Sequence, residues 1–77
     1  MALIETFESI TVDRQVVHDP VECGWRAFSA DGRRILQLDT YGSSERKFRG
    51  KVSQSIQVDK AGAIELMRIL REVFPGL

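Results

Sequence analysis

Polar and apolar residues alternate along three stretches of this chain and then switch to a helical spacing, and that switch predicts the architecture. Trp25-Arg26-Ala27-Phe28-Ser29-Ala30 and Arg33-Arg34-Ile35-Leu36-Gln37-Leu38-Asp39-Thr40-Tyr41 both alternate, with Asp31-Gly32 between them. Asp-Gly between two such runs is a strong hairpin signal, because a two-residue type I′ turn needs positive φ at both positions. A two-residue turn also sets the register. It places Ala30 opposite Arg33, Phe28 opposite Ile35, Ala27 opposite Leu36, Arg26 opposite Gln37 and Trp25 opposite Leu38. Opposed residues share a face. One face then carries Trp25, Ala27, Leu36 and Leu38 and is expected to be core. The other carries Arg26, Phe28, Arg33, Ile35, Gln37, Asp39 and Tyr41 and is expected to be a wet surface with aromatics set into it.

A third run, Lys51 to Val58, alternates as well. Val52, Ile56 and Val58 fall on one side with Gln54; Lys51, Ser53, Ser55 and Gln57 fall on the other. Paired beside the hairpin with its aliphatic residues inward, this run extends the polar face. Upstream, the β-branched stretch Ser9 to Val17 predicts the first strand, with Ile10 and Val12 alternating against Thr11 and Asp13. Residues 1–8 are expected to be a partly ordered lead-in. His18-Asp19-Pro20 ends that first strand, and His18 reads as a solvated loop residue.

After Val58, Asp59 is a good N-cap for a helix over residues 60–74. Ala63, Leu66, Met67, Leu70, Val73 and Phe74 recur at three- and four-residue spacing, and Pro75-Gly76 ends the run. Gly62 in the first turn suggests close backbone approach. Ile64 and Ile69 make the apolar stripe wider than one sheet face needs, which favours a second copy packing on it. The predicted fold is α+β: one domain spanning residues 1–77, with a four-stranded antiparallel sheet followed by one C-terminal helix.

Length and composition narrow the class. At 77 residues, 43% hydrophobic and 29% charged, the chain reads as one small globular domain near the lower limit for a self-sufficient core. It contains no apolar run approaching a membrane span, and its start lacks the basic region of a signal peptide. A cytoplasmic location is therefore expected. One cysteine and one histidine make neither an internal disulfide nor a zinc site, and no cofactor or metal is expected. Cys23 reads as a small buried hydrophobe. Neither a nucleophile-and-base arrangement nor a carboxylate pair is evident, so the chain reads as a non-enzyme.

The net charge is zero, yet the charge is segregated. Residues 1–25 carry net −4, whereas residues 26–51 hold Arg26, Arg33, Arg34, Arg46, Lys47, Arg49 and Lys51 for net +4. A local positive patch is what a polyanion meets. Within it, Gly42 to Gly50 reads as a glycine-bounded loop whose Arg46, Lys47 and Arg49 neutralise phosphate while Phe48 offers a stacking plane; the same loop also suits a plain hairpin connection with Phe48 folded back onto the sheet. It lacks the Gly-Lys-Ser/Thr ending of a nucleotide-binding loop. The constellation Arg26, Phe28, Arg33, Gln37, Tyr41, Lys51, Ser53 and Ser55, with Gln57, supplies what an unpaired strand needs: flat rings between cations and neutral hydrogen-bonding groups.

The order of four strands and a helix joins Trp25 to Asp39, a basic glycine-bearing loop, and Gly50 to Asp59 entering the helix. This arrangement resembles the positive cofactor four transcriptional coactivator family and its bacterial relatives. It is also similar to the repeat unit of the Pur-alpha family. The resemblance covers roughly residues 24–74 and rests on pattern and order. It implies single-stranded DNA or RNA bound on the curved sheet, and a homodimer packed through the C-terminal helices. Carried onto this chain, it implies that Arg26, Arg33, Arg46, Lys47, Arg49 and Lys51 contact phosphates while Phe28 and Tyr41 stack bases. The expected function is single-stranded nucleic-acid binding of low sequence specificity, in transcription or DNA maintenance. The alternative is a protein-interaction module or inhibitor that uses the open sheet face.

Overall fold

A computed structural model of the chain describes residues 1–42 and 51–77. Its elements are β1 (Ala2–Leu3), β2 (Cys23–Ala30), β3 (Arg33–Tyr41), β4 (Val52–Val58) and α1 (Lys60–Val73). The sheet runs in the order β1-β4-β3-β2. The α+β arrangement of a four-stranded sheet and a C-terminal helix is as expected. The sheet is mixed, however, because β1 lies parallel to β4, while β2, β3 and β4 are antiparallel neighbours.

The hairpin forms as its turn chemistry dictates. Asp31 and Gly32 take φ of 51° and 77°, the left-handed pair that a type I′ turn requires. The register from Ala30 opposite Arg33 to Trp25 opposite Leu38 is the one the two-residue loop sets. On the other side of β3, Leu36 meets Val58 and Leu38 meets Ile56, so the aliphatic residues of β4 share a face with Ala27 and Trp25. A bulge between Thr40 and Tyr41 sets Tyr41 opposite Val52.

The first strand is not where the alternation of Ser9 to Val17 predicts. That stretch forms no strand, and residues 10–21 are exposed throughout. Alternation makes a strand only where a sheet edge accepts it. Here the outer edge of β4 is taken by β1, from within the supposed lead-in, and Ile4 continues the pairing by donating its backbone N–H to the Gln57 carbonyl at 2.9 Å. Beyond Ile4 the chain runs beside α1, where Phe7 and Ser9 border a hollow shared with Ile69 and Val73.

Asp59 caps α1 as expected: its carboxylate accepts from the Gly62 backbone N–H at 3.0 Å. Gly62 marks the tightest approach of helix to sheet. A Cβ there would lie 3.2 Å from the Ile4 carbonyl oxygen and 3.4 Å from Val58 Cβ. The helix therefore lies on the face of Val58, Leu36 and Ala27. It packs on β3 and β4 and does not reach β2. Several residues expected inside the core consequently stand outside it, Ala27, Val52 and Ile56 among them. Trp25 is on the helix side by register yet 72% exposed, because α1 does not extend over β2. Cys23, at the end of the same strand, is exposed as well. Buried apolar side chains among the described residues come down to Val58, on the helix side, and Ile35, which lies beside Phe28 on the opposite face and is buried there rather than wet as expected. Among the described residues, no helix is long and apolar enough to cross a membrane.

Candidate nucleic-acid interface

The face opposite α1 is built from the inner two strands and the hairpin. Pairing brings Arg26 beside Gln37, Phe28 beside Ile35, and Gln37 beside Gln57, with Asp39 between Gly24 and Ser55. Arg26, Phe28, Gln37, Tyr41 and Ser55 thus share one surface, as expected.

Its centre is not wet. Gln37, Asp39 and Ser55 are each 8% exposed or less. They sit on central strands, and the carboxylate draws neighbouring donors inward. Ser55 Oγ donates to Asp39 Oδ1 at 2.5 Å, Gln37 Nε2 donates to the same oxygen at 2.9 Å, and Gln57 Nε2 donates to Gln37 Oε1 at 2.8 Å. This chain of bonds corrects the expectation that Gln37 and Ser55 are open contacts, because both are already committed inside the protein. Asp39 is the residue that strand alternation alone does not single out. The signal for it is an aspartate in mid-strand, where that residue type is depleted. The Ser55 hydroxyl, then the Gln37 amide, and the Arg26 charge hold its carboxyl below the ordinary aspartate range, against the opposing effect of burial.

The rim of the face is open. Arg26 keeps its side chain 66% exposed, with Nε 4.0 Å from Asp39 Oδ2. Phe28 and Tyr41 are half-buried. Tyr41 lies across Gly24, where a Cβ would come within 2.7 Å of the tyrosine hydroxyl; the glycine makes the seat for the ring. Arg33 is less available than its position suggests, since Nη1 donates to Asp59 Oδ2 at 2.7 Å. Asp59 in turn is held below its ordinary range by the Gly62 N–H first and by Arg33 next. Lys51 and Ser53 are exposed at the start of β4. The bulge gives Val52, rather than Ser53, the place opposite Tyr41, so the polar row ends at Ser55. Arg46, Lys47, Phe48 and Arg49 lie outside the described residues.

The surface thus has an ionised, hydrogen-bonded centre, two partly open rings, and cations at its margin. Among the described residues, no group of three His, Cys, Asp or Glu side chains is placed to hold a metal ion. Set against known proteins, the chain matches no family model, no curated protein and no solved structure.

Proposed function

We propose that the chain is a non-enzymatic protein that binds single-stranded DNA or RNA with little sequence preference, in transcription or DNA maintenance, on the sheet face opposite α1. The observation that carries this reading is the shared placement of Phe28, Tyr41 and Arg26, partly open, on a face the helix leaves free. Unpaired bases expose π-faces to such rings, and base stacking on an aromatic contributes about 1–3 kcal/mol. The negative centre at Asp39 disfavours phosphate, so the phosphodiester chain is read along the rim, past Arg26 and Lys51, with Arg46, Lys47 and Arg49 adding positive charge in the sequence just before Lys51. The same reading has two copies joined through α1, which doubles the length of strand engaged.

The test is titration of a fluorescent single-stranded oligonucleotide at two salt concentrations. Log affinity is expected to fall with log salt by about 0.7 per phosphate neutralised. Arg26→Glu should weaken binding and flatten that slope, and Phe28→Ala should weaken binding while leaving the slope unchanged. Affinity indifferent to salt, or unaltered in both variants, would turn the face over to the protein-docking alternative.

A further inference from the structure

We infer that Gln57 reads bases: its amide carbonyl accepts from the exocyclic amine of cytosine or adenine and gives the polar face a preference for these amino bases over the keto bases uracil and thymine. The preference rests on the nucleic-acid reading and concerns one functional group, not a sequence.

The Gln57 amide is oriented from inside the protein. Asp39 is held ionised, and a carboxylate only accepts hydrogen bonds. It takes one from Ser55 Oγ and one from Gln37 Nε2. Gln37 therefore turns its Nε2 toward Asp39 and its Oε1 toward β4. That carbonyl can only accept, so Gln57 meets it with Nε2, at 2.8 Å. The two ends of an amide are alike in shape, and hydrogen bonding decides which way each points; here one buried charge decides it for both glutamines. The bond to Gln37 occupies one Gln57 N–H and leaves Oε1 and the second N–H to meet a ligand. Asp39 and Gln37 are each 8% exposed, whereas Gln57 is half-buried. Gln57 is thus the end of the chain that a base can touch.

The same bonds carry charge outward. Each polarises the next, so the Asp39 carboxylate strengthens Gln37 Oε1 as an acceptor, and Gln57 Oε1 after it. Among base contacts, an acidic side chain is the usual acceptor for cytosine N4. Asp39 lies too deep for that contact, and Gln57 presents a weaker form of its charge at the surface. Cytosine N4 and adenine N6 are amines, whereas uracil and thymine carry a carbonyl at the 4-position, which a negative centre repels.

The rung to which Gln57 belongs supplies the rest of a nucleotide site. Arg26, Gln37 and Gln57 lie opposite one another across β2, β3 and β4. The backbones of Arg26 and Gln57 are therefore two strand spacings apart, about 10 Å. That suits a nucleotide laid across the sheet with its phosphate at Arg26 and its base edge at Gln57. Leu3 of β1 lies beside Gln57 and is half-buried, an apolar neighbour that limits competition from water.

The test compares oligodeoxycytidine with oligodeoxyuridine of equal length, at neutral pH and one salt concentration. The two share sugars and phosphates and differ only at the base edge. Fluorescence titration is expected to show oligodeoxycytidine bound at least about fivefold more tightly. Gln57→Leu should bring that ratio close to one while retaining most of the affinity for oligodeoxyuridine. Asp39→Asn removes the charge and frees both amides to flip, and should do the same. Gln54→Leu, on the helix side of the same strand, should leave the ratio unchanged. Equal affinity of the wild-type chain for the two oligonucleotides overturns the inference and leaves the nucleic-acid reading standing. So does a ratio that survives in Gln57→Leu, since the network would then only tie the three strands together. Failure to bind either oligonucleotide removes the nucleic-acid reading and the base preference with it.

Discussion

At the scale of single residues, Asp39 decides how the polar face behaves. Its carboxyl is held below the ordinary range by Ser55, Gln37 and Arg26, and Asp59 by Gly62 and Arg33. A depressed folded-state pKa means that the unfolded chain takes up protons first as pH falls. Both groups therefore contribute stability that is complete above the ordinary aspartate pKa, about 3.9, and is lost as pH drops through it toward the lower folded values. Urea midpoints should be flat from neutral pH to about 5 and fall below that. Asp39→Asn should make the acid limb shallower; an unchanged limb would show that Asp39 is not held by these bonds. Gly24 controls a different feature. Gly24→Ala drives its Cβ into the space of the Tyr41 hydroxyl, and the ring can swing away without unfolding the hairpin. Thermal stability should change little, whereas oligonucleotide affinity should fall by up to about tenfold as one stacking plane is displaced.

At the scale of elements, the parts legible in the sequence are those fixed by local chemistry. Asp31-Gly32 dictates a left-handed turn, the turn dictates the register, and the register dictates which residues share a face. Asp59 and the period of Ala63, Leu66 and Leu70 do the same for α1. What was not legible depends on residues distant along the chain. Ser9 to Val17 has the composition of a strand, but pairing was decided by β1 reaching the edge of β4. Arg33 looked free because its partner, Asp59, lies 26 positions away. Trp25 had its face assigned properly and its burial wrongly, since alternation does not say how far a helix reaches across a sheet. The approach of Ile4, just after β1, to the first turn of α1 makes its own prediction. In an ordinary first turn, Gly→Ala stabilises by up to about 1 kcal/mol. At Gly62 the added methyl would sit 3.2 Å from the Ile4 carbonyl, so Gly62→Ala should show no gain in thermal midpoint. A gain of several degrees would mean that the arm does not rest there.

At the scale of the whole molecule, the two faces of the sheet divide the work. One side is polar and internally bonded, with rings and cations at its margin; the other is apolar and only half covered. Net neutrality conceals this division, because the acidic residues concentrate in the N-terminal third and the basic ones in the hairpin and the stretch that follows it. A chain whose core is this thin has a stability that cannot be separated from its own concentration if its bare side is closed by a copy of itself. Folding is then coupled to association, and mass action sets the size of the effect: each tenfold dilution removes about 1.4 kcal/mol per mole of dimer. The thermal midpoint should therefore climb steadily with protein concentration, and Met67→Glu should depress it most at the dilute end, where pairing is already weakest. A monomer that completes its core internally would melt at one temperature throughout. Calorimetry or circular dichroism over a wide concentration range tells these cases apart, and a midpoint that stays fixed would show that folding is not coupled to pairing.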